Sequence, residues 1–140
     1  MPNGEAAITC VVAGDPDSAF NAFTGEIDHW WSRGPDRQLG SIVRFEADRL
    51  VVATPQGVDI LATVTEWDPP HRLQLDWLGP HSREGDTVMV TFEAEETGTR
   101  VTVHHRRAGL KPQETDAAIV GLWWGDLLGR LQARRPRPPF

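Results

Sequence analysis

Hydrophobic and polar positions alternate with a period of two along much of this chain, from about residue 39 to 107. Successive side chains of an extended strand point to opposite faces, so such alternation predicts half-buried strands of an antiparallel sheet. Val43 and Phe45 share a face of one predicted strand, residues 50–53 make a short partner, and Pro55-Gln56-Gly57 turns the chain. Residues 58–67 continue the sheet, with Ile60, Ala62 and Val64 on the apolar face and Trp67 out of phase with them. A β-bulge near Thr65 and Glu66 would return Trp67 to the core face. At Asp68-Pro69-Pro70 the chain must turn, because two successive prolines lack the N–H groups a ladder needs. Leu73, Leu75 and Trp77 then line one face, opposite Arg72, Gln74 and Asp76. Residues 79–85 predict a loop, after which Val88, Val90 and Phe92 alternate with Thr87, Met89 and Thr91. Glu96-Thr97-Gly98-Thr99 signals a hairpin, and Val101, Val103 and His105 line the last strand opposite Arg100, Thr102 and His104.

The pattern changes at both ends of this β-rich stretch. Residues 7–12 read as a first strand, with Ile8, Cys10 and Val12 on one side. Asp15 before Pro16 fits a helix N-cap followed by Pro at the first helical position, and Phe20 and Phe23 mark one side of about two turns. Thr24 is placed to cap a second short helix running into His29-Trp30-Trp31, which Ser32-Arg33-Gly34-Pro35 ends. From about residue 113 to 133 the period becomes helical. At about 100° per residue, Val120, Trp124, Leu127 and Leu131 form an apolar stripe, flanked by Trp123 and Leu128.

One strand, two short helices, about six further strands and a long helix predict a two-layer α+β domain. A curved antiparallel sheet of about six or seven strands would hold the long C-terminal helix, and the wedge between them is a natural ligand cavity. A length of 140 residues fits one domain, here residues 1–133 with a basic, Pro-rich tail at 134–140. That tail reads as a disordered end or, more sharply, a partner-docking peptide. The net charge of −6 argues against nucleic acid as partner. The single Cys10 precludes an intrachain disulfide and reads as a buried, inert thiol. No apolar run approaches the ~20 residues that cross a bilayer, and no secretory segment follows Met1. A cytoplasmic protein without a membrane partner is the expectation.

Four stretches resemble the SRPBCC superfamily (START-like, helix-grip) and, within it, the branch named after the activator of the heat-shock-protein ATPase. His29-Trp30-Trp31-Ser32-Arg33-Gly34-Pro35 is similar to that branch's double-Trp turn. Residues 64–73 with Trp77 resemble its turn between central strands. Residues 88–93 and 98–105 resemble its closing hairpin, with His105 at the family's His position, and residues 124–131 its terminal helix. The resemblance implies a helix-grip fold. It implies less about function, since the superfamily includes co-chaperone domains, lipid or polyketide binders and cyclases.

Among residues that carry chemistry, His104 and His105 are neighbours on a strand and face opposite ways, so both cannot hold one metal, and no Cys or further His stands at zinc-site spacing. No metal site and no cofactor is expected. Asp59, Asp68 and Asp76 read as solvated, and Glu66 faces either way depending on the bulge. No nucleophile elbow or phosphate-cradling Gly loop is present, so nothing at the residue level supports an enzyme. Five of the six Trp residues, Trp30, Trp31, Trp77, Trp123 and Trp124, come from three elements that the fold gathers around one wedge. Core packing accounts for such indoles, and so does a flat apolar slot for a ring or acyl chain.

The reading is therefore non-catalytic binding of a small hydrophobic molecule between sheet and long helix, lined by Trp30, Trp31, Trp77, Phe92, His105 and Trp124. The alternative is a protein-interaction module of the chaperone ATPase activator type, and a second alternative, implied only by the superfamily, is a cyclase- or hydrolase-like enzyme. Gly121, Gly125 and Gly129 recur every four residues opposite the helix stripe, a ridge open to tolerated drift or to a second copy of the helix in a homodimer.

Overall fold

The computed structural model describes residues 5–31, 41–46, 48–78, 86–106 and 114–133. Its elements are β1 (Glu5–Val12), α1 (Pro16–Thr24), α2 (Ile27–Trp30), β2 (Ile42–Glu46), β3 (Arg49–Thr54), β4 (Gly57–Asp68), β5 (Arg72–Trp77), β6 (Thr87–Glu95), β7 (Gly98–Arg106) and α3 (Glu114–Ala133). This is the order the periodicity predicts. The strands form one seven-stranded antiparallel sheet, β1-β7-β6-β5-β4-β3-β2. From β1 the chain passes through α1 and α2 to the far edge at β2, then returns strand by strand until β7 lies beside β1. α3 packs closest to β1, giving the helix-grip arrangement expected from the sequence.

The apolar face is built in rows by the register. Leu73 on β5 faces Val90 on β6, which faces Val103 on β7 and then Ile8 on β1. Leu75, Val88 and His105 form the next row, and Phe92, Val101 and Cys10 another. From above, Trp124, Leu127, Leu128 and Leu131 of α3 close the core. The side chains of Val120 and Trp123 lie outside the described residues, as do the loop at 79–85 and the tail at 134–140.

α1 starts as its sequence dictates, with Asp15 Oδ1 accepting from the Ser18 N–H at 2.8 Å and Pro16 in the first turn. Phe20 and Phe23 are both buried. Thr24 does not cap α2. It ends α1, donating its hydroxyl proton to the Phe20 carbonyl at 2.8 Å, and α2 begins after Glu26, whose side chain makes no cap bond. Asp28 of α2 has a different use: its Oδ1 accepts the Val43 N–H at 2.9 Å. β2 is the outer strand of the sheet, and this contact blunts its unpaired edge.

Two irregularities re-aim β4. The expected bulge occurs between Val64 and Glu66, and it turns Trp67 toward the core side. There Trp67 meets Phe20 edge-on at 5.2 Å and Phe45 at 5.6 Å between centroids, although 45% of it stays exposed because it lies at the margin. A second irregularity was not signalled. Ile60 pairs with Val51 and Ala62 with Leu50, leaving Leu61 as an extra residue. Leu61 and Ala62 are consequently both buried, and Ile60, expected in the core, is 42% exposed. Phe45 and Val64 are half-buried against the core edge.

The β6–β7 hairpin requires glycine at its first β7 residue. Gly98 has φ +152°, and a Cβ there would run into the Val12 carbonyl oxygen of β1. Thr99 ties the same corner to the start of α1, donating to the Gly14 carbonyl at 2.9 Å.

Candidate functional site: an aromatic wall under the long helix

The six residues singled out from the sequence come from α2, β5, β6, β7 and α3. Trp30, Trp31, Trp77, His105 and Trp124 form one connected cluster, while Phe92 sits opposite Val101, two rows along the sheet from His105, and joins them through Phe23. α2 is too short to bury a full stripe, so it delivers its last residues, Trp30 and then Trp31 where the backbone turns extended. Alternation places Trp77 on the core face at the end of β5, and the helical stripe places Trp124 above it. Trp77 and Trp124 stand 5.4 Å apart between ring centroids, and Trp31 lies 6.2 Å from Trp77 and 6.1 Å from Trp124. Trp30 touches Trp31 at 5.7 Å and Phe23 at 5.0 Å, and Phe23 leads to Phe92 at 5.8 Å. The tilted and edge-on angles are those the ring quadrupoles favour.

A buried polar chain runs through this wall. The Trp124 indole N–H donates to His105 Nδ1 at 3.0 Å, and His105 Nε2 lies 3.0 Å from Asp86 Oδ2. Asp86 and His105 are fully buried, and Trp124 nearly so. Asp86 also accepts the main-chain N–H of Trp77 through its backbone carbonyl at 2.9 Å. The Trp30 indole N–H donates to the Ala22 carbonyl at 3.0 Å. Indoles can only donate. Both of these therefore spend their polar atom within the protein.

Asp86 is the participant that sequence reasoning missed. Its signal was present: positions 86, 88, 90 and 92 share one strand face, so a carboxylate continued an otherwise apolar row. The register sets Val88 opposite His105, which brings Asp86 within reach of the ring. No local pattern announced that Trp124, nineteen residues beyond His105, would complete the chain.

The remaining candidates lie elsewhere. His104 faces outward beside Gln74, Thr87, Met89 and Arg106, which line an open groove of about 410 Å³ on the far side of the sheet. Cys10 is buried, and burial pushes its thiol up to about 11. Glu66 makes a surface ion pair with Arg72 at 2.9 Å, and Asp59, Asp68 and Asp76 are exposed. Among the described residues no three His, Cys, Asp or Glu side chains converge to hold a metal. No helix among them is long and apolar enough to cross a membrane.

Known structures share this architecture. A protein from Rhodobacter sphaeroides superposes with TM-score 0.67 at 20% identity, over 93% of this chain and 90% of that one. The Aha1 dimer from Colwellia psychrerythraea, solved in solution, matches with TM-score 0.60 at 17% identity, over 91% and 92% of the two chains. DynU16, a protein in the dynemicin biosynthetic locus, matches with TM-score 0.64 at 20% identity, over 94% of this chain but 46% of its own. At these identities the likeness is one of fold. No curated protein matches the sequence significantly. The family model for Activator of Hsp90 ATPase homolog 1-like proteins spans residues 14–134, from just after β1 through the whole of α3, and the chain belongs to that family.

Proposed function

We propose that this domain binds a small hydrophobic molecule without transforming it, between the sheet and α3, against Trp30, Trp31, Trp77, Phe92, His105 and Trp124. The observation that carries this reading is the convergence of buried indoles from three elements, with the Trp30 and Trp124 N–H groups bonded internally. Such a wall offers ring faces and few polar contacts, which suits an uncharged, apolar guest. The non-catalytic part rests on His105, whose two ring nitrogens are both engaged within the fold, and on Cys10, whose raised pKa leaves little thiolate at neutral pH.

A fluorescent acyl probe such as dansylaminoundecanoic acid is expected to bind saturably and quench the Trp emission. Ala62 is fully buried and pairs with Trp77, so Ala62→Phe places a ring into the same space. That variant should remain folded by circular dichroism and lose the probe. A wild-type protein that binds no member of a panel of apolar probes overturns the reading and favours an interaction module of the chaperone ATPase activator type.

The outer face of α3 favours a second role, self-association. Among the described residues, a Cβ added at Gly125 or Gly129 would meet nothing within 4 Å, and Leu122 beside them is 76% exposed. One protein of the same fold, the Colwellia Aha1, is a dimer. Sedimentation should show a wild-type dimer at tens of micromolar protein that Gly125→Leu dissociates, and a wild-type monomer excludes this role.

A further inference from the structure

We infer that His105 is a positioning residue that never touches a guest through its nitrogens: held by Asp86 as the neutral Nε2–H tautomer, it sets the plane of Trp124 and thereby the shape of the aromatic wall. The inference follows from donor and acceptor inventory. The Trp124 indole has an N–H and no acceptor, and it points at His105 Nδ1 from 3.0 Å. Nδ1 must therefore present its lone pair. A neutral imidazole then carries its one proton on Nε2, which lies 3.0 Å from Asp86 Oδ2 and donates to it. An imidazolium, or the opposite tautomer, would set two N–H groups head to head at full burial, where an unmade hydrogen bond is costly.

Asp86 bonds on two sides of the central stack. Its carboxylate orients His105 and so Trp124, and its backbone carbonyl accepts the main-chain N–H of Trp77. The main chain of Trp77 and, through His105, the indole of Trp124 are thus both tied to Asp86, the residue before β6. His105 acts through Trp124, as an outer partner orients a ligand-bearing group elsewhere. The consequence for binding rests on the ligand reading above; the tautomer does not.

The test begins with the wild-type protein labelled with ¹⁵N. Long-range proton–nitrogen correlation at neutral pH should show Nε2 of His105 as pyrrole-type and Nδ1 as pyridine-type. The Trp124 indole proton should exchange slowly with solvent. A protonated Nδ1 overturns the inference without any variant being made. His105→Gln can supply an acceptor to Trp124 and a donor to Asp86, and it should keep the indole proton protected. His105→Leu fills the space with neither group, and protection of that proton should fall at least tenfold while far-ultraviolet circular dichroism persists. If His105→Leu protects the proton as well as wild type, the positioning role is overturned; if it does not fold, the wild-type spectrum and His105→Gln decide. With the acyl probe, affinity should stay within about twofold in His105→Gln and weaken at least tenfold in His105→Leu, in the manner of a lost outer-shell partner. Equal affinity in all three proteins overturns the positioning role in binding. Failure of the wild type to bind any probe removes the ligand reading, and the nitrogen spectrum still confirms or refutes the tautomer.

Discussion

Gly98 and Cys10 show how a single position is decided by its neighbours. Gly98 combines a positive φ with a carbonyl oxygen where a Cβ would stand, so Gly98→Ala meets backbone strain and a collision that no side-chain rotation relieves. A loss on the order of 3 kcal/mol in denaturant unfolding is expected. Cys10 is shielded on the β1 face beside Val101, and its thiol titrates near 11 in the fold against 9.0 for the free group. Deprotonation therefore favours the unfolded chain: the thiol's contribution to stability is intact below about pH 9 and is lost as pH rises toward 11. At pH 8 only about a thousandth of the thiol is thiolate, so a disulfide reagent should label native Cys10 slowly and denatured protein at once. Native labelling at the denatured rate would contradict this burial.

At the scale of elements, the helices follow rules written in their own residues. The Asp15 carboxyl is held below its usual range, chiefly by the Ser18 backbone N–H it accepts. Its contribution is present above the ordinary aspartate range and is lost as pH falls through the lowered folded value. Asp15→Asn should accordingly flatten that part of the stability–pH curve, and an unchanged acid limb would deny the cap its role. α3 carries Gly125 and Gly129, and beyond the adjoining helix backbone no described residue lies within 4 Å of where a Cβ would stand on either. In the dissociated monomer Gly125→Ala should raise stability by about 0.5–1 kcal/mol through helix propensity, measured by denaturant unfolding of dilute protein. Loss of stability there would reveal a close neighbour within the chain.

For the molecule as a whole, the sheet and α3 share one core whose largest side chains meet at Trp77. It is 1% exposed and contacts Trp31, Trp124 and His105, on three other elements. Trp77→Ala removes the middle of the stack and should cost about 3–5 kcal/mol, measured by chemical denaturation. Because the same rings join α2, β7 and α3 to β5, tryptophan emission and far-ultraviolet circular dichroism should unfold together in the wild type. Separate transitions would show that α3 leaves the sheet independently.

Strand faces, hairpin order, the α1 cap and the α3 stripe were legible from residues close together in the chain, because a period of two or of 3.6 is a local property. The burial of Trp77, Phe92, His105 and Trp124 was legible for the same reason, since each falls on an apolar face of its strand or helix. Tertiary structure decided what depends on the partner. The extra residue at Leu61 turned Ile60 outward, a choice made by pairing with β3 and invisible in the alternation of β4. The bulge at Glu66 was expected, but only the packing of Phe20 and Phe45 determined how far Trp67 would be covered. Above all, His105 took its tautomer from a carboxylate on β6's approach and an indole on α3, groups nineteen residues away on either side. Hydrogen bonds of that kind obey geometry across the fold, and no spacing along the chain encodes them.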